Sequence, residues 1–309
     1  MPITDTNFIQ QMKAKQNEEL ASLMNKLEKT ENNFDKELAV VILAAGLGKR
    51  MKNPEKPKVM FEVNGKPMIQ YVVELALKVD AHRIIPIVGH HREQVISFLT
   101  NLIPELPSPT EGGSHETPRG SEDVSNAVFD FAIQEEQLGT GHAVMQTEKL
   151  LKDFDGNVLI LSGDVPLLSY ETLEALIAEH LENNYDATLL TTAFKDPKGY
   201  GRIIRDANGE FIKIVEHKDA TNEEKKIREV NPAIYIVKSV VLFESLRKIK
   251  PDNSQKEYYL TDIFHFIPKE KVGTVITEND LEVTGVNSIE QLEEMEKYVR
   301  KPPPLVRGK

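Results

Sequence analysis

The chain has 309 residues, a formal net charge of −11, and neither cysteine nor tryptophan. Without cysteine there can be no disulfides, thiolate nucleophiles or cysteine-based zinc sites, and the acidity argues against general binding to nucleic acid or anionic membranes, which needs a broad basic surface. Hydrophobic residues make up 40% and charged ones 28%, ordinary for a globular protein long enough to bury a large core as one α/β domain or two. The start "MPITDTNFIQQMKAKQNEEL" lacks the apolar core of a signal peptide, and no apolar run approaches the roughly 20 residues that cross a bilayer. The expected location is the cytoplasm.

Residues 1–36 are rich in Lys, Glu, Gln and Asn and contain no glycine. Phe8, Met12, Leu20, Leu23 and Leu27 recur near helical spacing, with Asn7 as a candidate N-cap and Gln10 at the capping-box position. The stripe is broken at Lys15 and Gln16. This polar helical extension therefore has two readings: a solvated helix packed loosely on the domain, or an arm that joins copies of the chain into a homo-oligomer.

From Leu38 onward, strands and helices alternate. "LAVVILAA" and "RIIPIVG" predict buried strands, and "PMIQYVVELALKV" between them predicts a helix with proline at its start and Met68, Val72, Leu75 and Val79 on one face. "REQVISFL" follows as a helix, "NAVFDFAIQ" as a strand, "GHAVMQTEKLL" as a helix and "NVLILSGD" as a strand; "SYETLEALIAEHLEN" is then a helix and "DATLLTTAF" a strand. The succession implies a doubly wound α/β fold, a mostly parallel sheet with helices on both faces. After Lys195 the pattern is mixed: "GRIIRDANGEFIKIVE" reads as a hairpin around "ANGE", "EVNPAIYIV" as one strand, and "SVVLFESLRKI" and "SIEQLEEMEKYVRK" as helices. The domain is thereby placed at 37–300. Within it, the Pro/Gly/Ser-rich stretch 104–125 is expected to be a flexible surface insert, and the tail 301–309, "KPPPLVRGK", cannot continue a helix.

Chemistry concentrates in "LAAGLGKRMKNPEKPKVM", Leu43 to Met60. A Walker A loop needs four residues between its glycines and Ser/Thr after the lysine; here one residue separates Gly46 from Gly48, and Arg50 follows Lys49. A dinucleotide fingerprint needs a third glycine where Met51 stands. Both templates fail. What remains is a strand, a glycine turn that lets backbone N–H groups approach an anion, and the cations Lys49, Arg50, Lys56 and Lys58. A solvated basic turn is the bland alternative, and Pro57-Lys58 after the strand favours a phosphate loop over it.

With these residues in view, the chain resembles the sugar-nucleotide pyrophosphorylases, whose signature is a glycine loop, then Arg, then Pro-Lys. The likeness runs from about Leu38 to about Leu292 through "LAAGLGKRM", "PKVM", "EQLGTGHAV", "LSGDVPL", "GYGRI", "IVEHKDAT", "EVN", "EYYLTDI" and "GVNSIEQL". It implies a Rossmann-like nucleotidyltransferase domain with a smaller mixed β region for the sugar. The activity implied is Mg²⁺-dependent joining of UTP to N-acetylglucosamine 1-phosphate. By the same resemblance, Leu43, Ala44, Ala45 and Gly46 lie against the nucleotide, with Ser162 and Gly163 beside it, and Arg50 and Lys58 act on its phosphates. Gln134, Gly139 and Thr140 match the uracil-reading positions. Gly201, Glu216 and Asn231 match the sugar contacts, and Asp164 and Asn287 the Mg²⁺ ligands.

Two departures stand out: Lys49 replaces the family's usual Thr or Ser, and Pro232-Ala233 replaces a usual Thr-Gly. The second keeps open a different sugar phosphate, such as N-acetylgalactosamine or glucose 1-phosphate. A non-catalytic nucleotide-sensing subunit is the alternative from another class. His90-His91 are read as plain loop residues, and His142 as a residue that orients its loop rather than one that transfers protons. Many family members add a C-terminal β-helix acetyltransferase; with no hexapeptide repeats here, that activity is expected to be absent.

Overall fold

The computed structural model describes residues 37–51, 53–102 and 127–300. The readings made for 1–36, 104–125 and 301–309 lie outside the described residues. The first buried run becomes β1 (Leu38–Leu43), and its alternation splits the core. Val40 and Ile42 join one apolar cluster and Ala39 and Val41 another, on opposite faces of the sheet. Burial on both faces is what a continuous β-branched run requires, and the helices provide it.

The chain forms a short hairpin, β2 (Glu62–Val63) and β3 (Lys66–Pro67), around Asn64-Gly65, both with positive φ. It continues through α1 (Met68–Lys78) to β4 (Arg83–Val88), which pairs parallel with β1. After α2 (Arg92–Leu102), β5 (Val128–Phe129) and β6 (Ala132–Ile133) both lie parallel on β4. The single strand expected at "NAVFDFAIQ" is thus two pieces in one continuous register, interrupted at Asp130-Phe131. The helix expected over "GHAVMQTEKLL" is shorter than its apolar spacing suggested. α3 spans Thr140–Met145, and the chain then tightens into turns where Thr147 bonds back to Val144 O through both N and Oγ1.

β7 (Asn157–Ser162) pairs parallel with the other side of β1, and α4 (Tyr170–Glu182), capped by Ser169, leads to β8 (Ala187–Ala193). The hairpin of β9 (Gly201–Arg205) and β10 (Phe211–Val215) forms as expected. "EVNPAIYIV" does not stay one strand. β11 (Glu229–Asn231) pairs with β8 and β9, whereas β12 (Tyr235–Lys238) pairs with β7 and β8. Between them Pro232 lacks a ladder N–H and Ala233 has φ +62°, so the strand bends and changes neighbours. After α5 (Ser239–Leu246), β13 (Val272–Ile276), which the sequence pattern did not flag, adds parallel to β8, and α6 (Ile289–Arg300) closes the domain.

The sheet order is β10-β9-β11-β8-β12-β7-β1-β4-β5, so the mixed region is continuous with the parallel one. A third cluster of Met51, Val63, Met68, Val286 and Met295 ties the end of the glycine loop to the segment before α6. Among the described residues, no helix is long and apolar enough to cross a membrane.

Candidate active site

The chain leaves β1 for β4 on one side and later returns to β7 on the other. Between the carboxyl ends of β1 and β7 lies the switch point at which open α/β sheets bind ligands. A cavity of about 420 Å³ opens there. Leu43, Ala45, Gly46 and Lys58 line it from the glycine loop, Ser162 and Asp164 from the end of β7, and Gln134, Gly139 and Thr140 from the approach to α3. Ala44 and Gly163 sit just behind: Ala44 N donates to Ile87 O, and Gly163 N to Leu43 O, both at 3.0 Å. Leu47, Val59, Gln137, Ala143, Ala233 and Glu257 complete the wall; of these only Ala233 was singled out from the sequence, as part of the Pro232-Ala233 departure.

The second loop glycine has a steric reason. Gly48 has φ +58°, and a Cβ there would stand 2.9 Å from Lys58 Cβ. A side chain at 48 would both strain the turn and push away the lysine that crosses it. Lys58 Nζ reaches Asp164 Oδ2 at 2.5 Å and Asn287 Oδ1 at 3.1 Å. Asn287 is held from behind: its N donates to Gln291 Oε1 at 2.8 Å and its Nδ2 to Gly285 O at 3.3 Å. Val286 N donates to Asp164 O at 2.9 Å, tying the two segments together.

The proposed metal ligands therefore converge, and they converge on a cation. An anionic and a neutral oxygen fit a hard divalent ion whose other positions come from phosphates and water. Among the described residues, no group of three or more His, Asp or Glu side chains could hold a metal alone. The pair fits Mg²⁺ as a site shared with ligand phosphates.

Arg50 is exposed and does not line the cavity. Its charge acts on the Tyr200 hydroxyl, which accepts from Gly285 N at 3.2 Å. Burial pushes the Tyr200 hydroxyl pKa up, nearby Asp164 adds to that, and the Gly285 bond and Arg50 oppose it. Tyr200 is thus a neutral buttress under the Asp164 end, inside the "GYGRI" stretch although not proposed from it. The side chain of Lys49 lies outside what the structure describes. His91 turns its Nε2 to Pro54 O at 2.8 Å, a loop contact.

At the other end, Gln134 is 4% exposed. Gly139 has φ +113°, and a Cβ there would meet Tyr258 O at 2.5 Å, so only glycine fits. Thr140 Oγ1 accepts from Leu260 N at 3.1 Å, and Gly141 N donates to Tyr258 O at 2.8 Å, lacing the 258–260 segment onto this loop.

Gly201, Glu216 and Asn231 come together beside the cavity without lining it. A Cβ on Gly201 would lie 3.6 Å from both Asn231 Cβ and Glu216 Oε1. Glu216 Oε1 accepts from Thr261 Oγ1 at 3.0 Å; burial pushes the carboxyl pKa up, the Thr261 bond opposes this, and Asp262 and Asp219 reinforce it. Asn231 is already engaged: Nδ2 donates to Tyr235 Oη at 2.6 Å, and Oδ1 accepts from Ala233 N at 3.0 Å. Its amide clamps the bend between β11 and β12.

The fold and this constellation define a class. Residues 39–279 match the Nucleotidyl transferase family, and the chain belongs to it. It is 44% identical over 267 residues to Bifunctional protein GlmU of Caldanaerobacter subterraneus subsp. tengcongensis, covering 86% of this chain and 52% of that protein. With Bifunctional protein GlmU of Thermosipho africanus the identity is 46% over 264 residues, covering 85% and 51%. The chain thus spans about half the length of these relatives. A Bacillus anthracis structure described as a glucose-1-phosphate thymidylyltransferase in complex with sucrose superposes with a TM-score of 0.64 at 20% identity, covering 88% of this chain and 98% of that one. That likeness establishes the fold.

Proposed function

We propose that this nucleotidyltransferase joins UTP to N-acetylglucosamine 1-phosphate, releasing pyrophosphate and forming UDP-N-acetylglucosamine. The observation that carries this reading is the meeting of Lys58 with Asp164 and Asn287 at the switch point, with Lys58 and Asp164 lining one cavity together with Gln134 and Gly139. An oxygen of the sugar phosphate attacks the α-phosphorus in line, and the bond from that phosphorus to the oxygen bridging to the β-phosphate breaks, its electron pair leaving with pyrophosphate. The nucleophile is already ionised near neutral pH, so catalysis rests on alignment and charge neutralisation rather than on a protein base.

Lys58 and Arg50 offset the charge of the approaching anions and of the leaving group. Asp164 and Asn287 would hold Mg²⁺, which when bound supplies further neutralisation of the phosphate oxygens. Gln134 and Gly139 address the base, while Gly201, Glu216 and Asn231 shape the sugar end.

Retention of both cations and both metal-ligand oxygens favours an enzyme over a nucleotide sensor. Pro232-Ala233, with Ala233 in the cavity wall, supports a second reading in which the sugar differs. Pyrophosphate release by the purified protein, measured across nucleoside triphosphates and sugar 1-phosphates, separates these. UTP with N-acetylglucosamine 1-phosphate is expected to be the preferred pair; a clear preference for glucose 1-phosphate overturns the sugar assignment, and no release with any pair overturns the enzyme.

A further inference from the structure

The base end of the cavity holds a hydrogen-bond arrangement that the roles above leave unused. Gln134 Nε2 donates to Gly139 O at 3.0 Å and lies 3.2 Å from His142 Nδ1. A primary amide has two hydrogens, and these two partners take both when Nδ1 is the bare nitrogen of a neutral ring. Turning the amide over would set Oε1 against the Gly139 carbonyl, acceptor facing acceptor. The orientation is therefore set, and Oε1, which accepts from none of the described residues, belongs to a buried side chain that lines the cavity.

The other ring nitrogen shows why Nδ1 is the acceptor. Gln146 Nε2 lies 3.3 Å from His142 Nε2 and donates to His142 O at 2.8 Å. Two amide NH₂ groups thus compete for the one lone pair of a neutral imidazole. Gln146 is only half-buried and can place its second hydrogen on water, whereas Gln134 is 4% exposed and cannot. An unsatisfied buried donor is the costlier of the two, so the lone pair goes to Gln134.

We propose that His142 is a positioning residue that selects the pyrimidine. By accepting from Gln134 Nε2 it keeps the Gln134 carbonyl oxygen presented to the base. An acceptor there meets the N3–H of uracil and repels the bare N3 of cytosine. This rests on the reading of the base site given above, and it extends to thymine, whose edge is the same. The Gly139 carbonyl favours the same orientation, and the ring's lone pair adds to it; an amide held by Gly139 alone turns more readily, and a turned amide would accept cytosine.

The test compares UTP with CTP for the wild type, His142→Phe and His142→Asn, by kcat and KM in pyrophosphate release and by calorimetric binding of each nucleotide without sugar phosphate. Phenylalanine keeps the ring but offers no acceptor. Asparagine can place Oδ1 where Nδ1 stood. The UTP-over-CTP ratio of kcat/KM is expected to fall at least roughly tenfold in His142→Phe, through KM and binding rather than kcat, and to recover to within about threefold of wild type in His142→Asn. If His142→Phe does not fold, His142→Leu provides the same comparison. A wild type that prefers UTP together with an acceptor-free variant that keeps the same ratio overturns the role of His142. A wild type indifferent to the base overturns instead the reading of the base site on which the role depends.

Discussion

The two ends of this site are built on opposite principles. The end proposed for the phosphates sits at the carboxyl ends of parallel strands, where turns carry charge into an open cavity: Lys58 and Asp164 face each other with side chains 16% and 15% exposed. The end proposed for the sugar sits in the mixed part of the sheet, where Glu216 and Asn231 are braced by Thr261, Tyr235 and the backbone of a bent strand. One end keeps its charges within reach of a ligand that brings counter-charge. The other holds polar groups in a shape and satisfies them internally until a neutral ring arrives. The difference predicts that substitutions at the first end act on turnover and those at the second act on stability and sugar binding together.

The largest effect belongs to Asp164. Asp164→Asn keeps the shape but removes the charge that the Lys58 ammonium and a hard cation both need. Turnover is expected to fall about a hundredfold or more, while the melting temperature moves little by comparison because Lys58 keeps Asn287. Lys58→Ala should cost about tenfold or more, roughly 1.4 kcal/mol of barrier. Pyrophosphate release against Mg²⁺ concentration, with melting curves for the same samples, checks both. Equal damage to stability and turnover would erase the contrast between the two ends at its stronger pole.

That contrast also explains what the sequence made legible. Gly46, Gly48 and Lys58 could be read because their chemistry clusters just after an obvious apolar strand, whereas Asp164, at the end of another such strand, was assigned through family resemblance. The pairing of Lys58 with Asp164 could not, because it depends on the order in which those strands lie in the sheet. Asn287 was legible only through family resemblance; nothing local to "GVNSIEQL" marks a ligand. Tyr200, Glu257 and Thr261 reach the site from segments that only tertiary packing brings near. The bend at Pro232 did have a signal, since proline inside a central strand argues against a single strand, but the apolar run "AIYIV" outweighed it. β13 was missed because "VGTVI" is too short to separate from loop by periodicity alone.

Glu216 sharpens the comparison from the other side. Burial raises its carboxyl pKa above the ordinary glutamate value. The folded state therefore holds that proton more tightly than the unfolded chain, and stability falls as pH rises from the unfolded value through the folded one. Above that window the buried charge is a net liability. Glu216→Gln keeps an acceptor for Thr261 and removes the charge, so it should raise the melting temperature at pH about 8, with the gain shrinking as pH falls to about 5. The same variant should weaken sugar-phosphate binding, seen as a higher KM for the sugar phosphate at unchanged KM for UTP. A gain in stability that does not depend on pH would show that the carboxylate is not strained by its burial.

The smallest expected effect is at Ala233, where the sugar end meets the cavity wall. Its φ of +62° lies in the left-handed region, which costs a residue with a Cβ roughly 1–2 kcal/mol. The conformation persists because Pro232 prevents a continuous strand and Asn231 Oδ1 holds the Ala233 N–H at 3.0 Å. Ala233→Gly removes the strain but loosens the unfolded chain, and these terms oppose each other. The net gain should be under about 1 kcal/mol, a rise of roughly 1–3 °C in melting temperature for a chain of this length. A methyl group in the wall of a cavity of about 420 Å³ also limits what can sit there. The glycine variant should therefore broaden the sugar 1-phosphates accepted while leaving UTP affinity unchanged. Measuring KM for N-acetylglucosamine, N-acetylgalactosamine and glucose 1-phosphates beside the melting curve checks both halves. Lower stability in Ala233→Gly would mean that the bend is favoured by more than the Asn231 clamp, and an unchanged sugar panel would move the specificity of this end onto Glu216 and Asn231.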